Sequence, residues 1–472
     1  MDREVVKADV AVFGAGPGGM GAAIAAAREG AKVVLVERMG FLGGLMASGL
    51  PMLAFFDMHQ RRIVGGIANE IVERLKILSG ETPNWPDGSS EGSAGHRYCP
   101  MHVSTTTVNQ FYTRILFFQW ARDLGIKLML HCETTDAAVI DGKLKKVTVV
   151  GKGKAFDIEA RVFIDGTGDG DLGYLAGASF EKGAEGTGLL QPPTLMFNLS
   201  GVDFDRFIDY LEQHPEEPVK NTPDGFSHIK PGYDAKFLRN HPGHIFVGLQ
   251  ETIKRLRQEG KCPIDRDTII YIRQPIPGTV AVNTIRIKNF DGSDVYDLSR
   301  GEQEAHLQIL PLIKMFREHV PGFEKCYMTS IHPVIGVRES RRIMGIKKLT
   351  KDDTMSAHVP DDTVAIYSYF IDIHIGNTDK TFSKTVEEPY GVPYGCTVSR
   401  DIDGLMMAGR CMSADSYAHA SSRIMTLCVA IGEAAGIAAA LAAKQNISPR
   451  DVNVAKLREL LLKHGAILKA VL

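Results

Sequence analysis

The sequence Asp9-Val10-Ala11-Val12-Phe13 runs directly into Gly14-Ala15-Gly16-Pro17-Gly18-Gly19, and an Ala-rich segment follows. An apolar strand, a glycine-rich turn and a helix in this order are typical of a dinucleotide-binding unit. In such a unit Gly14 permits the tight turn, Gly16 lets the backbone approach a pyrophosphate, and Gly19 lets the helix pack against the strand. The diphosphate is then expected at the positively polarised N-terminus of the helix.

A second apolar strand, Ala31-Lys32-Val33-Val34-Leu35-Val36, supports this interpretation because it ends at Glu37. An acidic residue at this spacing is placed to accept hydrogen bonds from an adenosine ribose. The alternative, a glycine cluster that only packs a helix, leaves Glu37 unexplained. The sequence therefore predicts a bound dinucleotide.

Length and charge narrow the class of protein. The chain has 472 residues, which predicts two or three structural units at about 150 residues each. Hydrophobic residues make up 44% and charged residues 23%, as in an ordinary globular protein. A net charge of -2 gives no broad field for capturing nucleic acid or an anionic membrane. The expected partner is therefore a small-molecule substrate rather than nucleic acid or a membrane, and a homo-oligomer stays open.

The cysteines and apolar segments bear on the compartment. Seven cysteines occur without a C-x-x-C pair, which argues against a zinc or iron–sulfur site and fits a reducing compartment. We expect no cleavable signal, because the first core strand begins within about ten residues. The apolar stretches near Ala22 and Val429 are short and interrupted by glycine, and Glu433 lies in the second, so neither is expected to span a membrane. A cytoplasmic enzyme is the expectation.

The order of elements favours an α/β fold with a discontinuous dinucleotide-binding domain. Turns at Asp141-Gly142 and near Gly151-Gly153 predict a β-meander, after which Val162-Phe163-Ile164-Asp165 is expected to return to the dinucleotide sheet. Leu405-Met406-Met407 resumes that sheet, and a helix rich in small residues follows. We expect a Rossmann-like domain with a β-meander insertion in residues 1–195 and 389–472, and an inserted α+β substrate domain in residues 196–388.

Further motifs occur in a recognisable order along nearly the whole chain. They are Gly43-Gly44, Asp165-Gly166-Thr167-Gly168-Asp169, Pro193-Thr194-Leu195-Met196-Phe197, Val337-Arg338-Glu339-Ser340-Arg341-Arg342-Ile343, Ile371-Asp372-Ile373-His374, Val392-Pro393-Tyr394, and Ala408-Gly409-Arg410-Cys411 followed by Arg423. With the opening glycine turn and Glu37, this set resembles the FAD-dependent oxidoreductase family of the glutathione-reductase-like flavoprotein superfamily.

The resemblance implies an extended FAD whose contacts follow the motifs. It implies that Glu37 holds the adenosine ribose, that Gly14 to Gly19 hold the pyrophosphate, and that the flavin ring lies near Gly43-Gly44. Gly409-Arg410 would approach the ribityl chain or the phosphates. The remaining contacts expected from the matched motifs are Arg38, Asp165, Gly168, Asp169 and Arg423. Only one dinucleotide fold is visible, so a separate domain for stable NADPH binding is not indicated.

Two groups of residues are candidates for the chemistry. In the strand Ile371-Asp372-Ile373-His374, Asp372 and His374 face the same way, and a His beside an acid is suited to take a proton as a hydride leaves. The alternative is a structural hydrogen-bonded pair near the flavin. Arg338, Arg341 and Arg342 concentrate positive charge, and one of them is expected to bind an acidic substrate or stabilise reduced flavin. The alternative is pairing with Glu339 or other acids.

The other candidates are weaker. His59, with Arg61 and Arg62, follows the Gly43-Gly44 loop but equally fits a solvated turn. No metal is expected, because the metal-like residues have no confirming spacing elsewhere; they are His96, Tyr98, Cys99 and His102. A cis bond within Gln191-Pro192-Pro193 would shape the cavity wall, although X-Pro bonds are usually trans. Packing rather than acid chemistry is expected of Tyr390, Tyr394 and Tyr417.

We therefore expect an FAD-dependent oxidoreductase that oxidises a C–OH or C–N bond of a small polar organic substrate by hydride transfer to flavin N5. Electrons would pass to oxygen or another acceptor. One alternative is reduction of an activated C=C bond in an unsaturated acid, with Arg338 binding the carboxylate or donating the proton. Another is an electron-transfer flavoprotein subunit without turnover of its own. A fold does not decide between these.

Overall fold

The computed structural model describes residues 3–78, 97–99, 101–219, 229, 232–378 and 380–470. The strands in these ranges are Glu4–Lys7 (β1), Val10–Phe13 (β2), Val33–Glu37 (β3), Met52–Leu53 (β4), Arg97–Cys99 (β5), Val103–Thr106 (β6), Lys127–Leu130 (β7), Glu133–Ile140 (β8), Lys143–Gly151 (β9), Lys154–Glu159 (β10), Val162–Asp165 (β11), Phe180–Lys182 (β12), Phe197–Ser200 (β13), Ile245–Gly248 (β14), Ile269–Arg273 (β15), Val280–Val282 (β16), Tyr327–Ile331 (β17), Arg341–Ile343 (β18), Thr363–Tyr367 (β19), Ile371–His374 (β20), Thr381–Lys384 (β21), Tyr390–Pro393 (β22) and Leu405–Met407 (β23).

The helices lie mainly between these strands. They are Pro17–Arg28 (α1), Gly66–Leu78 (α2), Gln110–Asp123 (α3), Asp171–Leu175 (α4), Phe204–Gln213 (α5), Ala235–Asn240 (α6), Gln250–Gln258 (α7), Val295–His319 (α8), Lys351–Met355 (α9), Ser416–Ser422 (α10), Met425–Gln445 (α11) and Val454–Lys463 (α12).

A five-stranded parallel sheet, in the order β23-β11-β2-β3-β7, forms the first layer of the core. Its central strands β2 and β11 are buried along their length and apolar except for Asp165 at the end of β11, as is typical of parallel strands covered on both faces. This is the Rossmann-like arrangement expected from the opening sequence. The glycine turn follows β2, Glu37 is the last residue of β3, and Gly409 follows β23. All of them lie at the carboxyl edge of the sheet, where ligands of such folds bind.

The predicted meander is confirmed. Strands β8, β9 and β10 pair in antiparallel succession, and β1 adds to the edge of β10. The turn between β8 and β9 has positive φ at Asp141 and Gly142, and the turn between β9 and β10 has positive φ at Lys152 and Gly153. Two successive residues of positive φ match the twist of a tight antiparallel hairpin.

A separate antiparallel sheet, in the order β14-β15-β16-β13-β17, occupies much of the middle of the chain. Helices α5, α6, α7 and α8 belong to the same stretch. Two strand pairs cross the boundaries expected from the sequence. β12 pairs with β18, and β19 pairs with β22, so residues on both sides of positions 195 and 388 share small sheets.

Helix α11 packs against α1 in the core. Of the helices that the structure describes, it alone is long and apolar enough to cross a membrane, yet 89% of its most apolar window is buried within the fold. Glycines on both helices make the contact possible. A Cβ at Gly436 would lie 2.2 Å from the Ala22 carbonyl oxygen, and a Cβ at Gly432 would lie 2.1 Å from the Gly18 oxygen. The apolar stretch of α11 is therefore a core helix.

Gly436→Ala tests this contact. Alanine in a helix interior normally stabilises by about 0.5–1 kcal/mol relative to glycine. Here we expect the opposite sign, a loss of about 1–3 kcal/mol, because the added methyl group has no space and must push α1 away. Chemical denaturation measures the free energy of unfolding, with exposed Lys444→Ala on the same helix as the control. A stabilised Gly436→Ala protein would contradict the contact.

Glu433 on α11 makes stability depend on pH. Its carboxylate is buried and accepts a hydrogen bond from the Ile67 backbone N–H at 2.9 Å, and burial raises its pKa to about 7. The folded protein therefore retains a proton that the unfolded chain releases near its ordinary pKa of 4.5. The resulting contribution to stability is present below pH 4.5 and is lost as pH rises towards about 7.

We expect Glu433→Gln to remove that pH dependence. Between pH 4.5 and 7.5, the unfolding free energy of wild type should fall by up to about 3 kcal/mol relative to that of the variant. Urea denaturation of both proteins across this range measures it. Parallel pH profiles would rule out a raised pKa at this position.

Candidate active site

A single cavity of about 350 Å³ brings most of the predicted site residues together. One part of it lies at the carboxyl edge of the parallel sheet, and another is formed by β14, β15 and β20. The predicted residues that line it are Gly14, Gly16, Glu37, Arg38, Gly44, Gly168, Asp169, Arg338, Asp372, His374, Gly409, Arg410 and Arg423. The predicted residues outside the lining are Gly19, Gly43 and Asp165.

The glycine turn forms a cradle that a side chain would fill. Gly14 has a φ of +88°, and a Cβ there would lie 2.6 Å from the Gly166 oxygen. A Cβ at Gly19 would lie 1.8 Å from the Gly14 oxygen, so Gly19 keeps α1 against the turn. At Gly16, in contrast, a Cβ would meet no protein atom within 4 Å. Gly16 faces the cavity, and no side chain caps the N-terminus of α1 behind it. The residues present therefore fit a pyrophosphate at this position.

Glu37 is held at the end of β3 by two backbone donors. Its Oε2 accepts the Ala15 N–H at 2.7 Å, and its Oε1 accepts the Met39 N–H at 2.8 Å. A carboxylate has about four lone-pair sites, so each oxygen keeps capacity for a hydroxyl donor. Because Glu37 also lines the cavity, this geometry fits a ribose diol.

Asp169 and Arg410 connect three segments beside the cavity. Asp169 Oδ1 accepts hydrogen bonds from Arg410 Nη2 at 2.8 Å and from Ser340 Oγ at 2.6 Å. Asp165 instead organises the turn beneath them, where it accepts hydrogen bonds from Thr167 and Gly173. Asp165 thus supports the cofactor loop from below, which is why it is absent from the lining.

The Gly43-Gly44 loop lies directly against the glycine turn. A Cβ at Gly44 would lie 3.0 Å from Gly16 Cα. Gly43 has a φ of +102°, and a Cβ there would lie 3.0 Å from the Phe117 ring. The side chain of His332 lies at this part of the cavity and is buried. Its Nδ1 contacts the Val334 carbonyl oxygen at 2.8 Å, and burial lowers its pKa, so His332 is neutral near pH 7.

At the other part of the cavity, Asp372 and His374 lie together because side chains two residues apart on a strand point to the same face. Asp372 Oδ2 lies 3.3 Å from His374 Nε2 and 3.3 Å from Arg423 Nη2. Burial opposes ionisation of Asp372, yet His374, Arg423 and Arg338 together lower its pKa below its usual range. Asp372 is therefore a carboxylate at physiological pH.

His374, in contrast to Asp372, is neutral. Burial lowers its pKa to about 3, with Arg338 and Arg266 acting in the same direction and Asp372 opposing them. Since the Asp372 carboxylate only accepts, His374 Nε2 donates to it. That leaves Nδ1 as the acceptor of the Thr381 hydroxyl at 3.3 Å.

The three arginines of the 338–342 segment have separate places. Arg338 lines the cavity and donates to the Pro192 carbonyl oxygen at 2.5 Å. Arg342 is buried in an ion pair with Glu339 at 2.5 Å, and Arg341 pairs with Asp171 at 2.9 Å. Only Arg338 is therefore available to a ligand, and the expected pairing with Glu339 holds for Arg342.

Several weaker candidates lie outside this arrangement. His59 and Arg61 both pair with Glu388, and neither they nor Arg62 lines the cavity. The bonds before Pro192 and Pro193 are trans, as X-Pro bonds usually are. Tyr390 and Tyr394 are buried with their hydroxyls bonded to Ser421 and to the Pro449 carbonyl oxygen, and the Lys351 ammonium lies over the Tyr417 ring.

The metal-like residues do not assemble in the part of the chain that the structure describes. Cys99 Sγ lies 3.8 Å from His102 Nδ1, and burial raises the pKa of the Cys99 thiol, whereas His96 lies outside the described residues. Across the described ranges no group of three or more His, Cys, Asp or Glu side chains is placed to hold a metal ion.

Three cavity residues had no signal in the sequence: Arg266, Thr381 and His332. Arg266 comes from the loop before β15, Thr381 from β21, and His332 from the end of β17. None of them belongs to a motif or a periodic pattern. Alternation along β20 and β21 would have placed Thr381 opposite His374 had the hairpin been recognised, because the two residues are register partners.

Comparison with known proteins identifies the family. The profile of a family described as FAD dependent oxidoreductase matches residues 9–461, and the chain belongs to that family. The protein is thus an FAD-dependent oxidoreductase, and the expectation of FAD is confirmed.

Individual relatives are more distant. The chain is 30% identical over 177 residues to the digeranylgeranylglycerophospholipid reductase of Methanothrix thermoacetophila, a match that covers 36% of this chain and 42% of that protein. A geranylgeranyl bacteriochlorophyll reductase-like protein from Thermoplasma acidophilum has a similar structure, with a TM-score of 0.46, 14% identity, and coverage of 98% of this chain and 84% of that one. The flavin-dependent brominase Bmp2 gives a TM-score of 0.47, 13% identity, and coverage of 97% and 83%.

Glu37→Gln tests the cofactor cradle. Glutamine replaces one acceptor oxygen with a donor, which then faces a backbone N–H. We expect the dissociation constant for FAD to rise by about 10- to 100-fold, as for the loss of a charge-assisted hydrogen bond. Titration of the apoprotein with FAD, followed by flavin fluorescence, measures this. Exposed Glu73→Gln is the control, and equal affinities of the two variants would contradict the role of Glu37.

Proposed function

We propose that this protein oxidises a C–OH or C–N bond of a small polar organic acid. The observation that carries the proposal is the juxtaposition of a neutral imidazole, His374, with the cavity-lining Arg338. The imidazole has the protonation state of a base, and the guanidinium has the charge of an acid-binding group. Bound FAD supplies the two-electron oxidation by accepting a hydride, and oxygen or another acceptor takes the electrons afterwards.

The protein's own residues bind the negatively charged group of the substrate and accept one proton from it. Arg338 orients an acid group, and its donation to the Pro192 carbonyl oxygen fixes the guanidinium plane. The Thr381 hydroxyl donates to His374 Nδ1, so it can pass a substrate hydroxyl proton to that nitrogen. Asp372 holds the opposite ring nitrogen and stabilises the imidazolium that results. Water leaves the site when an acid substrate fills the cavity, and these interactions then strengthen.

The lowered pKa of His374 is compatible with this role. Burial and the positive charges of Arg338 and Arg266 hold the pKa down in the ligand-free cavity. A bound carboxylate offsets those charges and thereby raises the basicity of His374 when substrate is present. The base is therefore neutral before binding and becomes a stronger proton acceptor after it.

Reduction of an activated C=C bond in an unsaturated acid is the second candidate. The observation in its favour is that Arg338 lines the cavity, where its guanidinium is placed to bind the carboxylate or to donate the proton; burial, Arg423 and Arg266 also lower its pKa. The partly matched Methanothrix protein is named a reductase. A subunit without turnover would show neither reaction alone. For all of these we propose a cytoplasmic location, with homo-oligomers open.

His374→Asn tests the oxidation. We expect the variant to retain FAD but to lose at least about 100-fold in the rate of anaerobic flavin reduction, the usual scale for removing a general base. A panel of small hydroxy acids, amino acids and neutral alcohols is screened by flavin bleaching. In wild type the apparent second-order rate constant for flavin reduction, which reports the free enzyme, should not fall with the ordinary histidine titration near pH 6.5, since His374 in the ligand-free cavity is already neutral above about pH 3.

The contrary outcomes are distinct. Unchanged kinetics in His374→Asn would remove this residue from the mechanism. Failure of the whole panel to bleach the flavin, with reoxidation of chemically reduced enzyme by crotonate or fumarate, would establish the reductive alternative. His214→Asn is the matched control, because the His214 side chain is 45% exposed and the residue lies outside the cavity.

A further inference from the structure

Arg266 is a buried cation that forms no side-chain hydrogen bond or ion pair with the residues that the structure describes. Only 6% of the residue is exposed, and it lines the cavity. Among the residues that the structure describes, no oxygen accepts a hydrogen bond from this guanidinium, and the neighbouring Asp267 pairs instead with Arg257 at 2.6 Å. Burial lowers the pKa of Arg266 to about 10, so it stays charged at physiological pH. An uncompensated buried charge is costly, which indicates that a ligand supplies the counter-charge.

The surroundings of Arg266 are positively charged overall. Beyond the effect of burial, the positive charge of Arg286 lowers the pKa of Arg266, and the charges of Arg423, Arg266 and Arg286 lower the pKa of Arg338. The Asp372 carboxylate opposes these cations at both arginines. Asp372 is already engaged with His374 and Arg423. The nearby Glu339 is committed to Arg342.

The remaining arginines have oxygen partners of their own. Arg286 donates to the carbonyl oxygens of Ile375 and Lys380, and Arg338 donates to that of Pro192. The guanidinium of Arg266 is left with its donors directed to no protein oxygen in the described chain. It is the group best placed to bind an anion in two-pronged fashion.

The same cavity has an aliphatic wall. Ile245 and Val247 alternate on β14, and Ile270 and Ile272 alternate on β15. The strand register sets Ile245 opposite Ile272 and Val247 opposite Ile270, and all four side chains line the cavity. Four adjoining aliphatic side chains cannot satisfy a polar ligand surface, so they suit a hydrocarbon group.

We propose that the substrate is a hydroxy acid with an aliphatic side chain, whose carboxylate binds Arg266 beside Arg338 and whose side chain packs on the four-residue wall. This inference rests on the proposed function for the reaction itself. The C–H bond gives a hydride, carrying two electrons, to bound FAD, and the hydroxyl proton passes through Thr381 to His374 Nδ1, which leaves an oxo acid. An amino acid is disfavoured because its ammonium group would add to the positive charge of the cavity.

Binding is tested first with a ligand that cannot react. Isovalerate has the carboxylate and the branched chain but no hydroxyl; isovaleramide lacks the charge, and acetate lacks the chain. On oxidised holoenzyme, calorimetry should give a lower dissociation constant for isovalerate than for either analogue. Arg266→Gln should weaken isovalerate by about tenfold or more, the scale of a charged hydrogen bond, without changing isovaleramide.

Two further variants separate charge from folding. Arg266→Lys should recover part of the affinity for isovalerate, because the charge is kept while the fork is lost. Arg255→Gln is the matched control, since Arg255 is exposed and pairs with Glu259 at the surface. FAD content and the flavin spectrum establish that each variant is folded. Equal affinity of Arg266→Gln and wild type for isovalerate would overturn the inference.

The reactive arm uses α-hydroxyisovalerate, with glycolate and isobutanol for comparison, and anaerobic flavin bleaching as the readout. Bleaching that is fastest with α-hydroxyisovalerate and slower in Arg266→Gln supports both proposals. Tight, Arg266-dependent binding of isovalerate without bleaching by any hydroxy acid would overturn the oxidation but keep the anion site. Equally fast bleaching by isobutanol, unchanged in Arg266→Gln, would overturn the anion site and keep the oxidation.

Discussion

The structure depends on close contact between backbones at a few glycines. The turn at Gly14 lies against Gly166, and α1 lies against α11 at Gly432 and Gly436, where a Cβ would come within 2.2 Å of a carbonyl oxygen. Because no side chain separates these elements, α1 is held on both sides and its N-terminus is fixed at the cavity. The cradle for FAD is thus a consequence of packing that extends from β2 to α11, far beyond the turn itself.

The cavity is lined by a parallel sheet and an antiparallel sheet, and each sheet contributes different chemical groups. The parallel sheet presents strand ends, where backbone donors and the Glu37 carboxylate fit the cofactor. The antiparallel sheet presents a strand face, which supplies an aliphatic surface, and the nearby β20 hairpin supplies Asp372, His374 and Thr381. The groups that fit the cofactor and the groups proposed for the substrate chemistry therefore lie on separate elements that meet at one cavity.

Burial gives the ionisable groups of this cavity their character. Desolvation keeps His374 neutral and lowers the pKa of Arg338 and Arg266, while nearby cations keep Asp372 ionised. The segment around Arg338 shows how local geometry assigns roles. Arg341 and Arg342 are consecutive residues of β18 and take up opposite surroundings, each with its own carboxylate, whereas Arg338 precedes the strand and reaches the cavity.

Through its resemblance to a known family the sequence implied FAD. The sequence by itself determined the opening strand, turn and helix of a dinucleotide-binding unit, the meander turns and the joint placement of Asp372 and His374. These depend on local spacing, on positive φ at particular residues and on strand alternation, which neighbouring residues decide. Only the tertiary structure decided that Arg266 and Thr381 join the site, that Arg342 is structural, and that His374 is neutral. Those outcomes come from distant segments meeting and from burial, because the pKa and partners of a side chain are set by what surrounds it in space.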